Sequence, residues 1–314
     1  MKKHRKMRWT LGILAVLVVG VGVAWCATRP NHEVAVASAG RLERYADFKS
    51  KHVSPRTVTV WLPQDYRAGE PCDVLYMHDG QMLFDAEATC NGQEWAVDET
   101  LSTLIAEHAI RRCIVVGIDN TSARLKEDFP DKARDYISAE LRDDASGDQL
   151  GDEYLRFIVE ELKPFIDEHY RPLTTREHTF MAGSSMGGLI SLYALCEYPQ
   201  VFGGVACLSS HLSFAMLNNG ASDEAWAAAF PLYVAEHLPA ANGSLVYMDH
   251  GTEDFDEDYG RYQEVMDAVF ASHGWDSAHY VSRVYDGDGH NEACWAKRFG
   301  QPLRHLLNPA TTAP

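Results

Sequence analysis

The chain has 314 residues, of which 46% are hydrophobic, 11% aromatic and 23% charged, and its formal charge is −17. That is enough apolar material for one large globular domain, with no bias toward disorder, collagen or coiled coil. So acidic a body has no counterion release to gain from a phosphate backbone, which excludes nucleic acid as a partner, and anionic lipid headgroups offer it no docking surface.

The chain opens on a targeting segment. A basic run from Lys2 to Arg8 precedes an uncharged stretch from Trp9 to Ala27, which fits either an exported signal peptide or an anchor spanning the inner membrane. Small-x-small cleavage patterns occur at Ala24-Trp25-Cys26 and Ala37-Ser38-Ala39, and bulky Trp25 argues against lipidation at Cys26. The positive flank stays in the cytoplasm, so the acidic body is expected beyond it, exported to a periplasmic or other extracytoplasmic space. Residues 1–29 are thus set apart; 30–47 reads as a linker, 48–308 as one domain and 309–314 as a tail.

Within the domain, β-branched apolar runs predict strands at Val58 to Leu62, Val74 to Met77, Ile114 to Ile118, Thr179 to Ala182, Gly204 to Leu208, Leu245 to Met248 and Tyr280 to Tyr285. Amphipathic stretches between them predict helices near Trp95 to His108, Asp152 to Tyr170, Met186 to Tyr198, Asp223 to Leu238, Tyr259 to His273 and Asn291 to Leu307. Regular alternation of the two implies an α/β fold, a mostly parallel twisted sheet with right-handed crossovers and helices on both faces. The charged stretch Asn120 to Gly151 is long for a loop in a compact domain, which points to a functional or flexible segment.

Gly183-Ser184-Ser185-Met186-Gly187 stands between an apolar strand and an amphipathic helix, the context a GxSxG nucleophile elbow requires. Glycines two before and two after the serine remove side chains that would collide in so sharp a turn, and Ser185 is left exposed at the carboxyl edge of the sheet. Ser184 lacks the flanking spacing. A serine hydroxyl is a weak nucleophile at neutral pH and needs a base that is itself oriented by an acid. His290, in the glycine-rich VYDGDGHNEACW after the last strand, is the base, with His211 the runner-up near the same edge. An imidazole base must be unprotonated, so activity should fail on acidification. The acid follows the strand at Leu245 to Met248, where Glu253, Asp254, Asp256, Glu257 and Asp258 compete; Asp254, three residues after Gly251, is the first choice, Asp256 the alternative and Glu253 a third. The oxyanion hole takes the amide of Met186 and, from the loop after Val74 to Met77, that of Gln81, with His78 and Asp79 ordering the loop.

Six cysteines remain beyond the targeting segment (Cys72, Cys90, Cys113, Cys196, Cys207 and Cys294), an even number that fits an oxidising compartment without fixing any pairing. None lies in a CxxC, metal-ligand spacing is absent, and the acidic run at 253–258 has no EF-hand spacing, so no metal is expected.

Six ordered blocks, YMHDGQMLFD, QEWAVDETL, CIVVGIDNTSARLKEDFP, GSSMGGLISLYAL, DHGTEDFDEDYGRYQ and GDGHNEACW, resemble the putative esterase family from about Arg56 to Leu307. That group includes enterochelin esterases, feruloyl and acetyl-xylan esterases of carbohydrate esterase family 1, S-formylglutathione hydrolase and the mycolyltransferases. The resemblance implies an α/β-hydrolase fold without a separate lid domain, no cofactor, and catalytic roles for Ser185, His290 and an acid near Asp254. Relatives tend to carry threonine at the position of Asp254 and aspartate at that of Asp256, and an aromatic where Cys90 stands. Arg124 matches a recurring arginine of the long loop and faces either substrate or the carboxylates of Glu127 and Asp128; His211 is a second candidate for substrate contact. The expected activity is hydrolysis of carboxylic esters of acylated sugars or siderophore-like molecules through an acyl-enzyme. Acyl transfer by the same triad and a non-catalytic surface-binding role are the alternatives.

Overall fold

The structure, a computed structural model, describes residues 34–138, 149–214, 220–241 and 243–312. The targeting segment at 1–29 lies outside the described residues, and no described helix is long and apolar enough to cross a membrane.

Eight strands form one sheet in the order β1-β2-β4-β3-β5-β6-β7-β8. They are β1 (Arg41–Phe48), β2 (Arg56–Leu62), β3 (Asp73–Met77), β4 (Cys113–Ile118), β5 (Thr179–Ser184), β6 (Gly204–Leu208), β7 (Leu245–Gly251) and β8 (Tyr280–Tyr285). From β4 through β8 all pairs are parallel, while β1 on β2 and β2 on β4 are antiparallel. The central strands read as unbroken apolar runs because helices cover both their faces; every residue of β3 and β4 is buried.

The strand β1 corrects the expected linker at 30–47. RLERYADF mixes charged with apolar residues and is exposed or half-buried throughout, as befits an edge strand, and that charge is what made it look like connecting chain. The sheet is mostly parallel, as expected, and its two antiparallel pairs lie at one edge, where the hairpin of β1 with β2 and the return of β2 onto β4 need no helical crossover.

Helices α1 (Val97–Ala106), α2 (151–170, with a π-helical stretch at Phe157–Leu162), α3 (Met186–Glu197), α4 (Gly220–His237), α5 (Tyr259–Ser272), α6 (Glu292–Arg298) and α7 (Gly300–Leu306) flank the sheet. Side-chain alternation along β3 splits the core: Val74 and Tyr76 pack with residues of α2 to α5, whereas Leu75 and Met77 pack with residues of α1, α6 and α7. The single C-terminal helix expected at 291–307 is two, parted at Phe299. Cys72, Cys113, Cys196, Cys207 and Cys294 are free and buried, so the even count does not become a disulfide framework among them; Cys113 on β4 and Cys207 on β6 serve as small apolar residues. Cys90 is disulfide-bonded.

Candidate active site

Five loops leave the carboxyl ends of adjacent parallel strands β3, β5, β6, β7 and β8, and they carry His78, Ser185, Ser209 with His211, Asp256, and His290. This is the edge at which open α/β sheets hold their ligands.

Between β5 and α3 the chain turns on Ser185, whose φ of 57° and ψ of −121° lie in a region an L-residue adopts only under constraint. The constraint is visible. The Ser185 amide donates to the Leu208 carbonyl at 3.0 Å, and its own carbonyl accepts from the amides of Gly188 and His211, each at 3.1 Å. A Cβ on Gly183 would lie 2.8 Å from the Gly187 backbone and 2.8 Å from the His78 ring, and one on Gly187 would press His78 at 3.1 Å. Gly183 is therefore required by close backbone approach, and Gly187 leaves room for the His78 side chain. Ser185 is partly exposed while Ser184 is buried in the β5–β6 ladder, which separates the two serines as the spacing predicts.

His290 Nδ1 lies 2.6 Å from Asp256 Oδ1, and Asp256 is fully buried. The other carboxylate oxygen accepts from the Gly251 amide at 2.7 Å and from the Ser209 hydroxyl. Burial alone would raise this carboxyl, but the hydrogen bonds from His290, Ser209 and Gly251 outweigh it and hold it below the usual range. Asp254, the first choice from sequence, is exposed at a left-handed turn (φ 56°) and does not hold the imidazole. The acid paired with His290 is thus the alternative, Asp256: the helical turn at 254–258 buries Asp256 and leaves Asp254 exposed.

A layer that sequence reading missed lies behind Asp256. The Ser209 hydroxyl (Ser209 φ 41°) accepts from Trp295 Nε1 at 3.1 Å and from Arg298 Nη2 at 2.8 Å, and Arg298, itself buried, pairs with Asp249 and Asp288, each at 3.0 Å. Arg298 lies in an amphipathic helix, where an arginine reads as surface; only the fold turns it inward. His211 links serine and histidine through its surroundings. Its amide bonds the Ser185 carbonyl, its Nδ1 meets the Tyr259 hydroxyl at 2.5 Å, and the Tyr259 ring packs 5.7 Å from that of His290.

On the β3 side, Gln81 lies in the short helical turn Gly80–Met82 and Met186 opens α3, while the Gln81 side chain is held by the Asn120 amide at 3.1 Å. Gly80 brings this loop against β4, where a Cβ would lie 2.6 Å from Gly117. His78 is buried, its Nδ1 2.9 Å from the Tyr154 hydroxyl, and burial lowers it to about 4, so it stays neutral and orders the loop. Arg124 is engaged by Asp79 through two hydrogen bonds of 2.6 and 2.7 Å, with Asp128 at 3.7 Å, while Glu127 belongs to Arg56. The fork is taken up by carboxylates, the pairing alternative of the two that the sequence left open, with Asp79 as the principal partner.

Similar proteins fit this architecture. A ferulic acid esterase superposes at TM-score 0.63 with 20% identity, covering 85% of this chain and 98% of its own. The enterobactin esterase of Shigella flexneri superposes at 0.62 with 19% identity, covering 90% and 63%. At such identities the likeness speaks for the α/β-hydrolase fold. Among curated sequences, the uncharacterized protein YbbA of Bacillus subtilis is 29% identical over 160 residues, 49% of this chain and 56% of that protein. A siderophore enterobactin esterase of Emericella nidulans is 27% identical over 151 residues, 46% and 47% of the two chains. The chain spans about half the length of the curated relatives it matches. The family match itself is far more extensive, running over residues 51–306, and on it the chain belongs to the putative esterase family.

Proposed function

We propose that this protein hydrolyses carboxylic esters through an acyl-enzyme, with Ser185 as nucleophile, His290 as general base and Asp256 as the acid that orients it. The observation that carries the reading is the buried Asp256 carboxylate 2.6 Å from His290 Nδ1, on the same sheet edge as a serine held in a strained elbow. His290 takes the hydroxyl proton as Ser185 attacks the ester carbonyl, the amides of Gln81 and Met186 receive the oxyanion, and the imidazolium then returns the proton to the leaving alcohol. Water repeats the cycle on the acyl-enzyme.

The acyl group we infer is aromatic, of the feruloyl or catecholate kind. Phe255 is exposed beside His290, ring centres 5.8 Å apart, and offers a face for an aromatic ester, while buried Tyr259 and Trp295 pack on the same imidazole. The names of two similar structures, a ferulic acid esterase and an enterobactin esterase, are in keeping with that class. Ser185→Ala should lower turnover of p-nitrophenyl acetate by about 10⁴-fold or more while the circular dichroism stays native. Retained turnover in that variant sinks the nucleophile assignment. A panel of feruloylated sugar, acetylated glycan and catecholate siderophore esters tests the acyl preference, and preference for the acetyl ester would overturn it.

A further inference from the structure

Three carboxylates gather where the chain enters α1. Glu94, Asp98 and Glu99 each offer one oxygen, and these oxygens lie within 4.8 Å of one another. Two oxygens bound to one calcium ion at about 2.3–2.6 Å can be no more than about 5 Å apart, so the cluster has the span of a shared ion.

Asp98 is fully buried. Its Oδ2 accepts from the amides of Ser38 and Ala39 at 2.7 and 3.0 Å and from the Ser38 hydroxyl at 3.1 Å; its Oδ1 is buried with no hydrogen-bond partner. Glu94 Oε2 and Glu99 Oε2 are buried and unpartnered as well. Among the described residues no lysine, arginine or histidine forms an ion pair with any of the three. Negative charge is favoured in the first turn of a helix, but a helix terminus gives no reason for three carboxylates to crowd within 4.8 Å with one buried, unpartnered oxygen on each, since each unpaired buried group costs free energy. Burial, then the nearby charges of Glu99, Asp98 and Asp85, push Glu94 up to about 7, and burial raises Asp98 too.

We propose that Glu94, Asp98 and Glu99 bind a hard divalent cation of the calcium class. An all-oxygen, all-carboxylate donor set suits calcium over zinc or copper. The ion would neutralise the crowded carboxylates and tie the 38–39 segment to α1. It would also brace the start of α6, next to His290: Gln93 accepts from the Ala293 amide at 3.2 Å, Asn91 donates to Glu292 at 2.9 Å, and the Trp95 ring packs 5.4 Å from that of Trp295.

The test uses the full chain stripped with a chelator, titrated with calcium chloride in a calorimeter, and melted with and without the ion. We expect one saturable event per chain with Kd of about 10⁻³ M or tighter, a Tm that rises with calcium concentration, and a smaller response to magnesium. Affinity should increase from pH 6 to pH 8, because the ion must displace protons held by Glu94 and Asp98. The Glu94→Gln/Glu99→Gln variant should lose both responses. Absence of binding heat at millimolar calcium overturns the proposal, and so does a Tm response that survives in the double variant. Should that variant fail to fold, Glu99→Gln alone should weaken binding at least tenfold, and unchanged affinity there is equally fatal. None of these readouts depends on ester hydrolysis.

Discussion

At the residue scale, the choice between Asp254 and Asp256 shows how little separates a buried acid from a solvated one in sequence. Five carboxylates crowd the loop after β7, and composition treats them alike; burial and a 2.6 Å contact with His290 single out Asp256. Asp256→Asn should keep the geometry but lower kcat by about 10⁴-fold through the wrong imidazole tautomer, as removal of a triad aspartate does elsewhere. Asp254→Asn should stay within a few-fold of the parent, and steady-state hydrolysis of p-nitrophenyl acetate by the two variants distinguishes them. The reverse order would return the role to Asp254. Ser209→Ala takes a donor from Asp256 and leaves Trp295 Nε1 without its acceptor, while Arg298 Nη2 keeps only Asp249. Leaving buried donors unsatisfied costs about 1–3 kcal/mol. Chemical denaturation should show that loss, together with a fall in kcat but little change in KM, because Ser209 acts on the acid and does not face the substrate.

At the scale of elements, the strand-to-helix turn at Ser185 places heavy demands on the backbone. Gly183→Ala puts a methyl carbon 2.8 Å from the Gly187 backbone and from His78, where neither neighbour can rotate away. Overpacking of this kind typically costs about 1–3 kcal/mol, and about 1 kcal/mol moves Tm by about 2–4 °C in a domain near this size. The variant should melt measurably lower and label more slowly with a fluorophosphonate; an unchanged melt and labelling rate would show that the elbow is slack. The existence of this turn was legible because its glycines and flanking periodicities are local features. The edge strand β1 was not, since an edge strand is stabilised by its neighbour's ladder as much as by its own composition. The antiparallel run of β2 was hidden for the same reason.

For the whole molecule, acidity and burial act together on stability. Burial raises Asp119 and Asp131 to about 7 each, and Glu94 to about 7 with help from its acidic neighbours. Such groups hold protons in the folded state that the unfolded chain releases near its ordinary carboxylate values. Stability is therefore present at mildly acidic pH and is lost as pH rises from about 4 through 7. Buried His78, lowered to about 4, works the other way: its contribution is present above about 6.5 and lost as pH falls toward 4. Three raised carboxyls outweigh that one histidine between pH 5.5 and 8, and the net charge of −17 adds self-repulsion at the alkaline end. Tm measured in chelator should be higher at pH 5.5 than at pH 8; a Tm that climbs steadily to pH 8 contradicts this balance.

The sequence by itself determined the fold class and marked out the candidate serine, the candidate histidine and the two candidate aspartates, because apolar periodicity and the glycine spacing of a tight turn are written in consecutive residues. Only the tertiary structure decided which aspartate meets His290, that Arg124 closes on Asp79, and that Ser209 and Arg298 stand behind the acid. Those choices depend on desolvation and on distances between chain segments far apart in number, and no local pattern encodes either.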